Sequence, residues 1–131
     1  MKVVIDTNVY ISSLLFKGKA REVYDICISN TDVFISGFIV AELSYKLSNK
    51  FSIPSKAVKE IIKSILSVVE VAEINTKLPN VCRDIDDNEI LQLCESISAD
   101  FLVTGDKDLL ILKKYKSTRI VDPSQFINSV V

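Results

Sequence analysis

The chain has 131 residues, 48% of them hydrophobic and 25% charged, the composition of one ordinary globular domain large enough to bury a core, which excludes disordered and fibrous classes. It contains no histidine and carries a formal net charge of −1, which removes the commonest general base and most zinc and iron centres and leaves carboxylates to do the acid–base work. The three cysteines, Cys27, Cys82 and Cys94, are odd in number and lack paired short spacing, so neither a disulfide framework nor a zinc knuckle is expected and Cys27 and Cys94 read as small core hydrophobes.

Residues 2–5 read as a buried strand, because a parallel strand covered on both faces is an unbroken apolar run such as Val3-Val4-Ile5. Helical patterns follow over about 8–15 and 20–29, with Gly18 as the break between them. Val33-Phe34-Ile35 is a second strand, and Ser36 can cap a helix whose Ile39, Leu43 and Leu47 recur every four residues and which frays near Asn49. After Pro54, Ser55 starts a helix in which Val58, Ile61, Ile62, Ile65 and Leu66 form an apolar stripe, with Lys56, Lys59 and Lys63 on the far side. Val68 to Val71 is a third strand, and residues 74–86, which hold Pro79, form the longest loop. Asp87 opens a helix with Ile90, Leu91, Cys94 and Ile97 on its inner face, then come a strand over 101–104, a short helix over roughly 107–114 and a strand over 119–121. Asp122-Pro123 starts the last helix, with Phe126, Ile127 and Val130 as its apolar face. Five strands alternating with helices predict a parallel sheet in a three-layer α/β/α sandwich. Charged residues interrupt every apolar run well short of the roughly 20 residues of a spanning helix, and a strand from residue 2 leaves no room for a secretory leader, so a cytoplasmic protein is expected.

The charges separate along the chain. From Asp84 to Asp108 eight acids face the single Lys107, whereas Lys46 to Lys63 holds five lysines against Glu60. Crowded carboxylates raise one another's pKa unless a cation is present, while the lysines fit a solvated face.

Two of the apolar runs end on or just short of an acid, as Ile5-Asp6 and Val103-Thr104-Gly105-Asp106, and a third acid, Asp87, stands at a helix start. Ligands in open α/β sheets bind beyond the carboxyl ends of the strands, so acids there face the functional edge. Helical phase separates Asp87 from its neighbours: residues 87, 90, 91 and 94 share the core face, while Asp84, Asp86 and Glu89 read as capping or solvated charges. The same phase puts Glu42 at the border of the stripe of Phe38, Ile39 and Leu43, with Lys46 four residues on as a surface partner. Taken singly, Asp6, Asp87 and Asp106 can each be a helix cap. Capping does not explain Glu42 inside a helix, nor the lack of histidine and arginine around these acids. Right-handed crossovers can set the first strand beside the one ending at Thr104, forming a switch point with adjacent acids.

Three or four carboxylates at such a point need cations, and hard oxygen ligands select Mg²⁺ or Mn²⁺ over zinc or copper. Water acidified by such an ion attacks a phosphodiester without a histidine base. Asn8 and Thr104, like Thr7, are placed to orient carboxylates or phosphate oxygens, or simply to bond within the turns.

On Val4-Ile5-Asp6-Thr7-Asn8-Val9, Ile39 to Leu43, Cys82 to Glu89 and Leu102 to Leu110, in that order, the sequence resembles the PIN-domain ribonucleases, in particular the branch of toxin components of toxin–antitoxin pairs. The resemblance spans nearly the whole chain, so residues 1–131 are expected to form a single PIN-like nuclease domain. It implies a five-stranded parallel sheet of order 3-2-1-4-5, with Asp6, Glu42, Asp87 and Asp106 as a catalytic acidic quartet binding divalent metal and Asp108 as a fifth acid. It also implies endonucleolytic cleavage of single-stranded RNA, a homodimer and an antitoxin partner; attack of metal-activated water on phosphorus would leave 5′-phosphate and 3′-hydroxyl ends. Gly37 stands where many relatives have proline. The total charge lacks the basic surface usual for nucleic-acid binding; Lys46, Lys50 and Lys56, or Lys107 and Lys113, are candidates for a local rim. Two alternatives come from other classes: a phosphorylated receiver, which would need paired acids after its first strand and a phosphoacceptor aspartate after a middle one where Val33-Phe34-Ile35 runs instead into Ser36-Gly37, and a catalytically silent RNA- or protein-binding PIN-like domain, since fold alone does not fix activity.

Overall fold

A computed structural model describes residues 1–130. The chain alternates β1 (Lys2–Ile5), α1 (Thr7–Leu15), α2 (Lys19–Asn30), β2 (Asp32–Ile35), α3 (Gly37–Asn49), α4 (Ser55–Leu66), β3 (Glu70–Val71), α5 (Ile85–Ile97), β4 (Phe101–Val103), α6 (Lys107–Leu110), β5 (Lys114–Tyr115), β6 (Thr118–Val121) and α7 (Pro123–Val130). β1 lies at the centre of the sheet, and its Val3, Val4 and Ile5 are wholly buried. It pairs in parallel with β2 and β4, with Val3 beside Val33 and Phe101. Helices flank the sheet: α5 packs on β1, α2 on β2, and α6 and α7 on β6. α7 is seated by an edge-to-face contact of Phe126 with Phe101, ring centroids 5.3 Å apart.

The order β3-β2-β1-β4-β6 is the expected 3-2-1-4-5 parallel sheet, and β5 adds a sixth, antiparallel strand at its edge. The helix expected over roughly 107–114 ends at Leu110. Lys113 and Lys116 both take left-handed backbone conformations (φ 61° and 53°), and the turn they make sets Lys114 and Tyr115 opposite Arg119 and Thr118. β3 has two residues rather than four, because the amides of Val68 and Val69 still bond the Ile65 carbonyl at the end of α4.

Capping side chains fix the entries of α3, α7 and α5. Ser36 Oγ accepts from the Ile39 amide at 3.2 Å. Asp122 accepts from the Gln125 amide at 2.8 Å while Gln125 Oε1 accepts from the Asp122 amide at 2.9 Å, a reciprocal box ahead of Pro123. α5 begins at Ile85 and not at Asp87: Asp84 is its cap, accepting from the Asp86 amide at 2.9 Å. Asp87 thus stands in the first turn, where the partial positive charge of the helix end favours an acid. Cys27 and Cys94 are buried, and all three cysteines are free. Among the described residues no helix is long and apolar enough to cross a membrane.

Candidate metal centre

Parallel strands bring their carboxyl ends to one edge, and there β1 ends in Asp6 and β4 leads through Thr104 to Asp106. α3, entered from β2, supplies Glu42, and α5 supplies Asp87. These four acids line one cleft of about 180 Å³, with Asn8, Lys46 and Ile90. Asp84 and Asp86 line it as well, so the reading of these two as capping or solvated charges is incomplete: Asp84 caps α5 and faces the cleft. A larger groove of about 660 Å³ between α3 and α4 is lined by serines, lysines and apolar side chains and holds no acid. Convergence of titratable groups, rather than volume, marks this cleft as the candidate site.

Asp6 is buried and doubly held. Its Oδ1 accepts from the Thr7 amide at 2.7 Å and its Oδ2 from Thr104 Oγ1, also at 2.7 Å. Thr104 Oγ1 in turn accepts from the Asp106 amide at 3.0 Å, so one hydroxyl registers two acids from adjacent strands. Burial raises the Asp6 carboxyl above its usual range; the Thr104 and Thr7 bonds oppose this, and Glu42 and Asp106 add repulsion. Thr7 Oγ1 donates a short hydrogen bond to Glu42 Oε1, tying α3 to the start of α1. Glu42 Oε2 stands 4.0 Å from Lys46 Nζ, which donates to Asn8 Oδ1 at 3.2 Å.

Asp87 is also buried, and burial is the largest reason its carboxyl is pushed up to about 7; Asp106, Asp84, Asp6 and Asp108 push it the same way. Asp106 caps α6, accepting from the Asp108 and Leu109 amides at 2.8 and 3.3 Å. For Asp6 and Asp106 the capping and cleft-lining readings hold together. Carboxylate oxygens of Asp87, Asp106 and Asp108 lie within 4.8 Å of one another. Asp108 is exposed, and both its oxygens lie 3.3 Å from Arg83 Nη2. The expectation that no arginine stands near the acids is thus corrected, because the loop before α5 folds back over α6. That loop is held by Asn88, buried in α5, whose Oδ1 accepts from the Val81 and Cys82 amides at 3.1 and 2.8 Å. Nothing in the local sequence signals the Asn88 or Thr7–Glu42 contacts, whereas the spacing of Glu42 and Lys46 did signal theirs.

The donor set suits a hard divalent cation. All of its ligating groups are carboxylates and neutral oxygens, and a buried acid holding its proton to about pH 7 marks a deficit of positive charge. Fold and site together define a doubly wound α/β protein with an acidic cleft at its topological switch point. The PIN-domain family model matches residues 2–108, and the chain belongs to that family. It is 34% identical over 119 residues, 86% of this chain and 76% of the relative, to the uncharacterized protein MJ1680 of Methanocaldococcus jannaschii. Among solved structures it shares its fold with a chain of VapBC2 from Rickettsia felis, bound to a DNA fragment from their promoter (TM-score 0.69, 17% identity, covering 92% of this chain and 97% of that one). It matches VapBC-1 of nontypeable Haemophilus influenzae likewise (0.67, 18%, 95% and 99%). A third is Mycobacterium tuberculosis VapC20, a Sarcin-Ricin loop cleaving toxin (0.62, 12%, 89% and 98%).

Proposed function

We propose that residues 1–131 form one nuclease domain, a Mg²⁺- or Mn²⁺-dependent endoribonuclease that hydrolyses single-stranded RNA. The observation that carries this reading is the convergence of Asp6, Glu42, Asp87 and Asp106 from four elements on one cleft. These four carboxylates would hold the metal, and Asp108 would add a fifth, peripheral ligand. A divalent cation bound there would supply Lewis acidity, lowering the pKa of a water and stabilising the charge that develops on the phosphoryl and leaving oxygens. Thr104 fixes the angle of Asp6 and the backbone of Asp106, Thr7 fixes Glu42, and Asn8 orients substrate at the rim. Preset donors of this kind lower the reorganisation needed on binding.

The description of VapC20 as a Sarcin-Ricin loop cleaving toxin and the VapBC assemblies among the structural neighbours support a toxin role with an antitoxin as protein partner; the reading further takes a homodimer as the working unit and the cytoplasm as its place. The test is incubation of the purified protein with 5′-labelled single-stranded RNA and Mn²⁺, beside Asp106→Asn and an EDTA control. Products with 5′-phosphate and 3′-hydroxyl ends are expected from the wild type only. Cleavage equal in all three would refute the assignment, and binding without cleavage in any divalent metal would favour a silent RNA-binding domain.

A further inference from the structure

Lys46 is the single cation among the residues that line the acidic cleft, which it shares with six carboxylates. As the partner of Glu42 alone it would be an ordinary i,i+4 pair of α3. Its geometry goes further. The ammonium crosses from α3 to α1 and donates to Asn8 Oδ1 at 3.2 Å, while its side chain is only 29% exposed. A neutral amide oxygen fixes the position of the ammonium without cancelling its charge. Of the three donors on Nζ, one is used by Asn8, and the others remain for oxygens in the cleft.

A phosphodiester approaching this edge meets carboxylates from every element that lines the cleft, and α3 alone also brings a cation, Lys46, beside its Glu42. A cation held by the acids neutralises the centre of the cleft, and a fixed positive charge on the α3 rim then gives a non-bridging phosphate oxygen a partner that no other lining residue supplies. Lysine suits that task as a point charge. Of the other candidates for a basic rim, Lys50, Lys56, Lys107 and Lys113 do not line the cleft, and Arg83 is engaged by Asp108. We propose that Lys46 binds a backbone phosphate of the RNA strand entering the cleft, with Asn8 as the residue that positions its ammonium. This rests on the ribonuclease reading above.

The test is equilibrium binding of a fluorescein-labelled, mixed-sequence single-stranded RNA, read by anisotropy across a KCl series in Ca²⁺. The proteins compared are wild type, Lys46→Met, Lys46→Arg, Asn8→Ala and, as a control outside the cleft, Lys59→Met. Loss of one phosphate contact is expected to weaken binding about tenfold for Lys46→Met and to reduce the slope of log affinity against log salt by about 0.7. Lys46→Arg should restore the slope, Asn8→Ala should bind with intermediate affinity, and Lys59→Met should match the wild type. A merely structural role of Lys46 would leave the salt slope unmoved. Wild-type affinity and slope in Lys46→Met would overturn the proposal alone, whereas no RNA binding by the wild type would overturn it together with the ribonuclease reading.

Discussion

Asp87→Asn removes one negative charge from the cleft and keeps the shape of the side chain. In the metal-free protein, burial and four neighbouring acids hold the Asp87 proton up to a pH of about 7, against an ordinary 3.8. Between those values the folded chain binds more protons than the unfolded chain, so stability falls as pH rises through the window, and the loss is complete above about pH 7. The full difference corresponds to about 4 kcal/mol. Water reaching the open side of the cleft screens part of it, leaving about 2 kcal/mol for the variant to recover at pH 8. For a chain of this length that is a rise in Tm of about 7 °C. The assay is thermal unfolding followed by far-UV circular dichroism in EDTA, since the chain has no tryptophan. Asp87→Asn should melt above the wild type at pH 8, and the gain should shrink by more than half at pH 5. Saturating Mn²⁺ should reverse the order, because a ligand at a hundred times its dissociation constant adds about 2.7 kcal/mol to the protein that binds it. A variant less stable than the wild type in EDTA at pH 8 would refute the charge argument.

Mn²⁺ affinity, measured by calorimetry, should rise steeply between pH 6 and 8, because the proton on Asp87 must leave before its carboxylate can ligate, and the slope should flatten in Asp87→Asn. Thr104→Val strips Asp6 of a donor and orphans the Asp106 amide, so urea unfolding should show a loss of about 1–3 kcal/mol that Thr104→Ser largely avoids. Asn88→Ala leaves the Val81 and Cys82 amides unpartnered and should cost about 2 kcal/mol, with limited proteolysis opening the chain first between Pro79 and Arg83.

Much of the fold was legible because its signals are local and repeated. β1 and β4 are apolar runs long enough to be strands buried on both faces, and the stripe of α4 has one helical reading. The placement of Glu42 and Asp87 on one cleft followed from helical phase, because a residue three or four positions from core residues must face the same way. What the sequence hid depends on partners far along the chain or on backbone handedness. β5 exists only because Lys113 and Lys116 turn left-handed, which no side-chain pattern signals for lysine. The start of α5 was misplaced because Asp84, Asp86 and Asp87 are equally good caps by composition, and only the bond from the Asp86 amide to Asp84 decides among them. The Thr7–Glu42 bond joins residues 35 apart, and Arg83 meets Asp108 across 25; neither separation has a period to betray it.

The central claim is that Asp6, Glu42, Asp87 and Asp106 together hold a divalent cation. Anomalous diffraction from a crystal of the protein soaked in Mn²⁺ tests it most directly. The expected result is an anomalous peak within about 2.0–2.6 Å of carboxylate oxygens from these acids, lost in Asp6→Asn. A fully diffracting crystal with Mn²⁺ bound elsewhere and the cleft without a peak would contradict it.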